Sequence, residues 1–216
     1  MIKEITSSFC PNSFTKFPII GILRNISKEA IVKILPLFEE AGFSTIEITM
    51  NSLDAEHIIS YACAEFGTRL NIGAGTVCDT DTLNKALAAG AQFIVAPIVD
   101  QQVIEKCVTK GIPVFPGAYT PTEIVHAWRL GATMVKVFPA NSLGASYFKD
   151  VLAPLDHVKL LATGGINIQN INEYINAGAK GFGIGGPLFE KSFIERENWS
   201  GLATHFKRFV DTVKFK

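Results

Sequence analysis

One lysine lies in the middle of a short apolar segment, Gly131-Ala-Thr-Met-Val-Lys-Val-Phe-Pro-Ala140. If this segment is a β-strand, Met134, Lys136 and Phe138 face one side and the two valines face the other. A charged amine inside an apolar core is costly unless it is paired or loses its proton. A lysine whose pKa is lowered by burial can attack a carbonyl carbon and form a Schiff base. The alternative is a lysine near a strand end whose amine reaches water or a carboxylate.

A carboxylate in a second segment is expected to face the same interior. The segment Ser44-Thr-Ile-Glu-Ile-Thr49 alternates, so Thr45, Glu47 and Thr49 point inward and the two isoleucines point outward. A buried ion pair with Lys136 would seldom add stability over apolar residues, which favours a functional role for both groups. A carboxylate beside an amine that forms and hydrolyses an imine can move the protons.

Alternating strands and helices must position these two side chains. After a short lead-in helix or cap within about the first fifteen residues, we predict strands at residues 17–23, 44–49, 71–75, 93–96, 113–116, around Lys136, 158–162 and 181–185. The predicted helices follow them at residues 27–41, 54–66, 80–89, 100–110, 120–131, 144–153, 168–177 and 199–214.

A glycine recurs between a helix and the next strand, at Gly42, Gly90, Gly111, Gly131 and Gly178. The spacing indicates a strand–helix unit of about twenty residues, and eight such units close into a barrel. The rival is an open doubly wound sheet, which usually has a glycine-rich dinucleotide loop after its first strand. Leu23-Arg-Asn-Ile-Ser27 stands there instead. We therefore predict an α/β protein, a single (β/α)8 TIM-barrel domain over residues 1–216 with a short N-terminal helix.

Composition excludes several classes of function. The 216-residue chain is 48 % hydrophobic and 19 % charged, which suits a large core. Lysine plus arginine and aspartate plus glutamate both total 20, without a basic cluster, so we expect no nucleic-acid partner. The four cysteines have no metal-binding spacing, and we expect free thiols and no metal. We see no signal peptide and no membrane-spanning run, and therefore expect a cytoplasmic protein without a membrane partner.

Two glycine-rich turns follow the seventh and eighth predicted strands. They are Thr163-Gly-Gly165 and Gly183-Ile-Gly-Gly186. Backbone N–H groups in such turns, together with helix N-termini, can hold a phosphate without a lysine, and barrels often bind phosphate at this position. The alternative is that these glycines only serve tight turns.

Four short motifs resemble the class I 2-keto-3-deoxy-6-phosphogluconate (KDPG) and 4-hydroxy-2-oxoglutarate (KHG) aldolase family. They are Glu47-Ile-Thr49, Gly73-Ala-Gly-Thr-Val77, Lys136-Val-Phe-Pro139 and Thr163-Gly-Gly165. The resemblance runs in order from Ile22-Leu-Arg24 to the turn that ends at Gly186, and it is specific as a combination.

The resemblance implies a role for each matching residue. Lys136 would form the Schiff base with pyruvate, and Glu47 would be the general acid and base. Thr76 and Thr163 would line the pyruvate pocket, with Pro97 and Phe138 packed around it. The phosphate would be bound by backbone donors of Gly164, Gly165, Gly185 and Gly186. The resemblance further implies a homotrimer that needs no cofactor.

The chain departs from the family pattern at two places. Many members have an arginine where this chain has Asn51, and Met50-Asn-Ser52 is more similar to the branch that cleaves 2-keto-3-deoxy-6-phosphogalactonate. We therefore expect Arg24, rather than residue 51, to bind the substrate carboxylate, with Thr49 and Asn51 beside the substrate. The eighth turn has Gly186-Pro187 where a serine is common, which leaves the phosphate to backbone donors.

We expect a class I aldolase that cleaves a 2-keto-3-deoxy-6-phospho sugar acid to pyruvate and glyceraldehyde 3-phosphate, with KHG as a possible further substrate. One alternative is a sugar-phosphate isomerase or epimerase that uses the carboxylate as base, and another is a non-catalytic relative that binds a metabolite. Burial should lower the pKa of Lys136 and Glu47 should raise it, and the sequence does not decide between them. We expect His57, His126, His157 and His205 to be surface or packing residues.

Overall fold

A computed structural model describes residues 8–215, and residues 1–7 of the predicted lead-in segment lie outside that range. The strands are β1 (Ile19–Leu23), β2 (Thr45–Thr49), β3 (Asn71–Gly75), β4 (Ile94–Val95), β5 (Val114–Phe115), β6 (Gly117–Ala118), β7 (Val135–Val137), β8 (Leu160–Thr163) and β9 (Gly181–Ile184). The helices are α1 (Pro11–Lys16), α2 (Lys28–Glu40), α3 (Ala55–Phe66), α4 (Thr80–Ala88), α5 (Gln101–Thr109), α6 (Pro121–Arg129), α7 (Ala140–Leu152), α8 (Ile171–Asn176), α9 (Lys191–Glu195) and α10 (Trp199–Thr212).

The strands are parallel and form a closed barrel. Their order in the sheet is β5-β4-β3-β2-β1-β9-β8-β7-β6, so the two ends of the sheet are β5 and β6. These two short strands are halves of one barrel strand, separated only by Pro116, which has no N–H to donate to a neighbour. Its carbonyl still accepts the N–H of Lys136 at 2.8 Å. The predicted (β/α)8 barrel is therefore confirmed, with its fifth strand interrupted at a proline.

Local signals in the sequence explain where the helices begin. The hydroxyl of Ser27 accepts the N–H of Ala30 at 3.3 Å, which caps α2 as predicted. Thr120 and Glu123 form a reciprocal capping box at the start of α6. Three helices differ from the prediction. Helix α7 begins earlier, at Ala140, with a break at Gly144, helix α8 begins later, at Ile171, and the short helix α9 was not predicted.

Two apolar cores lie on opposite sides of the strands. The larger core fills the layer between strands and helices, and the smaller one fills the lower half of the barrel interior. The inner core consists of Phe9, Phe14, Ile20, Phe93, Val95, Phe115 and Leu161, with Met134 packed against it. Phe9 and helix α1 close the lower end of the barrel, because Phe14 packs edge-on against Phe115 and Phe9 against Phe93. This end of the barrel is therefore filled by side chains.

No helix within residues 8–215 is long and apolar enough to cross a membrane. In the same range, no three His, Cys, Asp or Glu side chains come together in a way that could hold a metal ion.

Phe14→Ala should lower the free energy of unfolding by about 3 kcal/mol, because it removes a buried ring from the lower end of the barrel. Phe14→Leu should cost less than half as much, since it keeps most of the apolar volume. Urea unfolding of both variants measures the difference. Equal stability of Phe14→Ala and the unaltered protein would show that α1 does not close the core.

Candidate active site

A cavity of about 770 Å³ opens at the carboxyl ends of the strands. Its wall is formed by the β1–α2 loop, by β2 and β7, by the turns after β8 and β9, and by α9. Most of the predicted site residues line it: Arg24, Glu47, Lys136, Phe138, Thr163, Gly164, Gly165, Gly185 and Gly186. The barrel thus brings together side chains from segments far apart in the sequence, as expected for this fold.

Four predicted residues do not line the cavity: Thr49, Asn51, Thr76 and Pro97. The hydroxyl of Thr49 is buried and lies 2.8 Å from that of Ser52. Asn51 is exposed on the turn that follows β2. Thr76 adjoins the site only through its hydroxyl, which accepts a hydrogen bond from Arg24. Their direct contact with a substrate stays a prediction.

Lys136 projects into the barrel interior from the centre of β7. Its side chain is almost fully buried, with 6 % of the residue exposed. Burial lowers the pKa of Lys136, opposed by the negative charge of Glu47 and reinforced by the positive charge of Arg24. Its Nζ lies 4.8 Å from the centre of the Phe138 ring. Burial therefore outweighs the attraction of Glu47, which answers the question that the sequence left open.

Glu47 is buried in the same interior without a direct partner. It is 2 % exposed, and burial raises its pKa to about 7 although Lys136 and Arg24 act in the opposite direction. Its two oxygens form no ion pair within 4.0 Å of Lys136, and Oε2 has no hydrogen-bond partner among residues 8–215. Space for the carboxyl group comes from Gly75 on the neighbouring strand, where a Cβ atom would overlap Oε1. A buried acid with a pKa near neutrality can both donate and accept a proton.

Thr163 provides the second buried polar atom without a partner. Within residues 8–215, only Oε2 of Glu47 and Oγ1 of Thr163 are buried side-chain oxygens or nitrogens that lack a hydrogen bond. Buried polar groups in native proteins are nearly always paired, so such exceptions need an explanation. Both atoms belong to residues of the same cavity wall, which points to a bound molecule or water as their partner.

Arg24 is held at the edge of the cavity by a short hydrogen-bond relay. Its Nη2 donates to the hydroxyl of Thr76 at 3.4 Å. The next residue, Asn25, donates its N–H to the hydroxyl of Ser52 at 2.9 Å, and that hydroxyl pairs with Thr49 on β2. Asn25 and Thr76 both have left-handed backbones, with φ of 54° and 58°. Strained backbones of this kind are concentrated at functional sites.

The turn after β8 presents free backbone donors. Gly164 and Gly165 have φ of 98° and 72°, a conformation that glycine adopts without strain. The carbonyl of Gly165 accepts the side-chain amide of Asn170 at 2.9 Å, which fixes the turn. The next helix, α8, begins only at Ile171, so the donors here are turn amides rather than a helix end.

Hydrogen bonds to its carbonyl groups fix the turn after β9. The N–H groups of Leu188 and Phe189 both donate to the carbonyl of Gly185, at 2.8 and 3.0 Å. Nε2 of His205 donates to the carbonyl of Pro187 at 2.9 Å. The predicted packing role of His205 thus includes support for this turn.

The two turns together leave four backbone N–H groups without an acceptor among residues 8–215: those of Gly164, Gly165, Gly185 and Gly186.

Several cavity residues were missed by the sequence analysis: Asn25, Ile26, Ser27, Ile166, Pro187, Phe189, Lys191, Ile194 and Glu195. The position of Asn25, Ile26 and Ser27 directly after β1 could have predicted them, but only Arg24 was predicted from it. The residues of α9 gave no signal, because this five-residue helix is too short to show an apolar periodicity and none of its residues is fully buried.

The barrel holds a buried amine whose pKa is lowered, a buried carboxyl group whose pKa is about 7, and backbone amides without an acceptor among residues 8–215. This combination is typical of an enzyme that uses a lysine and a carboxyl group. The model of one family, described as KDPG and KHG aldolase, matches residues 11–204. The chain belongs to that family.

Relatives with known sequences and structures agree with this assignment. The chain is 35 % identical to the 2-dehydro-3-deoxy-6-phosphogalactonate aldolase of Escherichia coli, over 93 % of this chain and 98 % of that protein. It is similar to a solved native structure of KDPGal, with a TM-score of 0.85, 33 % identity, and coverage of 92 % of this chain and 95 % of that chain. A KDPG aldolase from Legionella pneumophila, solved with pyruvate captured as a covalent carbinolamine intermediate, has a TM-score of 0.83, 25 % identity, and coverage of 90 % and 95 %.

Glu47 should remain protonated at pH 6 and lose its proton as the pH rises through about 7, because burial disfavours its charged form. Infrared difference spectra between pH 5.5 and pH 8.5 report protonated carboxyl groups directly. A band that disappears over this range should be present in the unaltered protein and absent from Glu47→Gln. Identical spectra from the two proteins would contradict the raised pKa.

Proposed function

We propose that this chain is a class I aldolase that cleaves a 2-keto-3-deoxy-6-phospho sugar acid to pyruvate and glyceraldehyde 3-phosphate. The observation that carries this proposal is the buried amine of Lys136, which faces the cavity with a lowered pKa. An amine that loses its proton readily is the nucleophile that Schiff-base chemistry requires.

The first half of the reaction forms an imine. The neutral Nζ of Lys136 attacks the C2 ketone, and the resulting carbinolamine loses its hydroxyl as water. Glu47 supplies the proton to that leaving hydroxyl, for which its pKa near neutrality is suited. The product is a positively charged iminium between Lys136 and the substrate, with Glu47 left as a carboxylate.

The second half breaks the carbon–carbon bond. Glu47, directly or through a water, removes the proton of the C4 hydroxyl, and the C3–C4 electron pair moves into the iminium to give an enamine. The aldehyde then departs. A proton returned to C3 converts the enamine to the pyruvate iminium, and water hydrolyses it to release pyruvate and the free amine.

Other residues of the cavity orient the substrate. Arg24, at the cavity edge, binds the carboxylate with a charge-assisted hydrogen bond. Thr163 offers its unpaired hydroxyl to the pyruvate portion. The free amides of Gly164, Gly165, Gly185 and Gly186 donate to the phosphate.

The substrate is a galactonate- or gluconate-type acid. The Escherichia coli relative is named for the phosphogalactonate and the Legionella pneumophila protein for KDPG. The similarity of Met50-Asn-Ser52 to the galactonate branch favours the first, and we propose KHG as a slower substrate because it lacks the phosphate.

An isomerase or epimerase would use Glu47 as a base and leave the buried Lys136 without a role. A non-catalytic binding protein would need neither the unpaired acid nor the amine. Both alternatives therefore explain less of the cavity than the aldolase does.

We further propose that this single-domain chain works in the cytoplasm and that it forms a homotrimer, the latter as the resemblance implies. Sedimentation velocity should give a molecular mass three times that of one 23.5 kDa chain. A species at the mass of one chain would contradict the trimer.

Borohydride reduction in the presence of pyruvate should attach a pyruvate-derived group to Lys136, because the reductant traps the imine. Intact mass and peptide mapping measure the adduct and its position. Lys136→Ala should give no adduct and should lose essentially all cleavage activity. Folded protein without an adduct would rule out the Schiff-base mechanism and favour the two alternatives.

A further inference from the structure

The proposed phosphate subsite has neutral donors but needs positive charge. The four glycine N–H groups of the turns after β8 and β9 are backbone amides. A phosphate monoester carries close to two negative charges at neutral pH, and charged donors hold such an anion more strongly than neutral ones. A cation among the residues of the cavity wall would complete the subsite.

Three of the wall residues are cationic: Arg24, Lys136 and Lys191. Lys136 is committed to the imine, and Arg24 is tied to Thr76 on the strand-β3 side of the cavity. Lys191 lies at the start of α9, five residues after Gly186. Of these three wall residues it is therefore the closest in the chain to a glycine of the two turns.

The segment that carries Lys191 is anchored to the core, whereas the Lys191 side chain itself is exposed. Phe189 is buried and stacks on Phe38 with ring centres 5.8 Å apart, so the turn before α9 is anchored. Helix α9 itself has no buried residue, and the Lys191 side chain is 85 % exposed. Its ammonium can therefore move toward a ligand without disturbing the core.

In the structure, Glu195 forms an ion pair with the ammonium group of Lys191. Nζ of Lys191 lies 3.1 Å from Oε1 of Glu195 one helical turn away, and both side chains belong to the cavity wall. Exposed pairs of this kind are weak, because water and salt screen them. A phosphate dianion on the glycine amides would attract Lys191 more strongly than a single carboxylate does.

We propose that Lys191 is the cationic ligand of the substrate phosphate and that it exchanges Glu195 for the phosphate when substrate binds. The inference rests on the proposed aldolase function and adds to it a residue that selects phosphorylated substrates. Glu195 keeps the ammonium beside the empty subsite and, by competing for it, limits the affinity for phosphate.

The test compares the phosphorylated sugar acid with the same acid lacking phosphate. Lys191→Gln should lower the ratio of the two kcat/KM values about tenfold, mainly through a higher KM for the phosphorylated acid. Lys191→Arg should restore most of the ratio. Glu195→Gln should lower the inhibition constant of inorganic phosphate, because it frees the ammonium.

Lys28→Gln is the matched control. Lys28 is an exposed lysine on α2 near the cavity mouth, in a neighbouring groove, and does not line the cavity itself. Lys28→Gln should leave the ratio of the two kcat/KM values unchanged. An equal fall of this ratio in Lys28→Gln and Lys191→Gln would indicate general electrostatic attraction and overturn the proposal.

The pyruvate adduct separates this inference from the function on which it rests. If Lys191→Gln forms the adduct on Lys136 and its substrate ratio equals that of the unaltered protein, the role of Lys191 is wrong and the aldolase assignment stands. If the unaltered protein forms no adduct and cleaves neither acid, the proposed function itself fails.

Discussion

The site depends on two ionisable groups that share one apolar interior without pairing directly. Burial lowers the pKa of Lys136 and raises that of Glu47, so each group is shifted toward its neutral form. A direct ion pair would stabilise both charged forms and oppose these shifts. Under the proposed mechanism the gap between the two side chains serves the chemistry, because it preserves both shifts toward the neutral forms.

The surrounding barrel serves to maintain that gap. Glycine on β3 leaves room for the carboxyl group, and the carbonyl of Pro116 fixes the backbone of the lysine strand. The inner core under the site consists of phenylalanine and aliphatic side chains, and such apolar surroundings keep the effective dielectric constant low. The two glycine turns and the relay from Thr49 to Arg24 lie above it, where water and substrate enter. The lower part of the site is therefore apolar, and the hydrogen-bond donors lie at its open end.

The sequence predicted the parts of this arrangement that local patterns encode. Period-two alternation placed Glu47 and Lys136 inside, and the recurring glycines revealed the strand–helix repeat. The split of the fifth strand was missed because its second half is only two residues long, after a proline that looked like an end. Helix α9 was missed because it is only five residues long and none of its residues is fully buried. The unpaired state of Glu47 depends on the stagger between β2 and β7, which are not neighbours in the sheet, and no local pattern encodes that.

Within residues 8–215, Phe9 and Phe14 close the lower end of the barrel, and the cavity opens at the carboxyl ends of the strands. Under the proposed mechanism the pyruvate portion is covalently attached at the bottom of this blind cavity, and the aldehyde lies nearer the mouth. The two products must therefore leave in a fixed sequence, aldehyde first and pyruvate last. In the direction of synthesis the same geometry makes pyruvate the first substrate to bind, so that the aldehyde meets an enzyme that is already loaded.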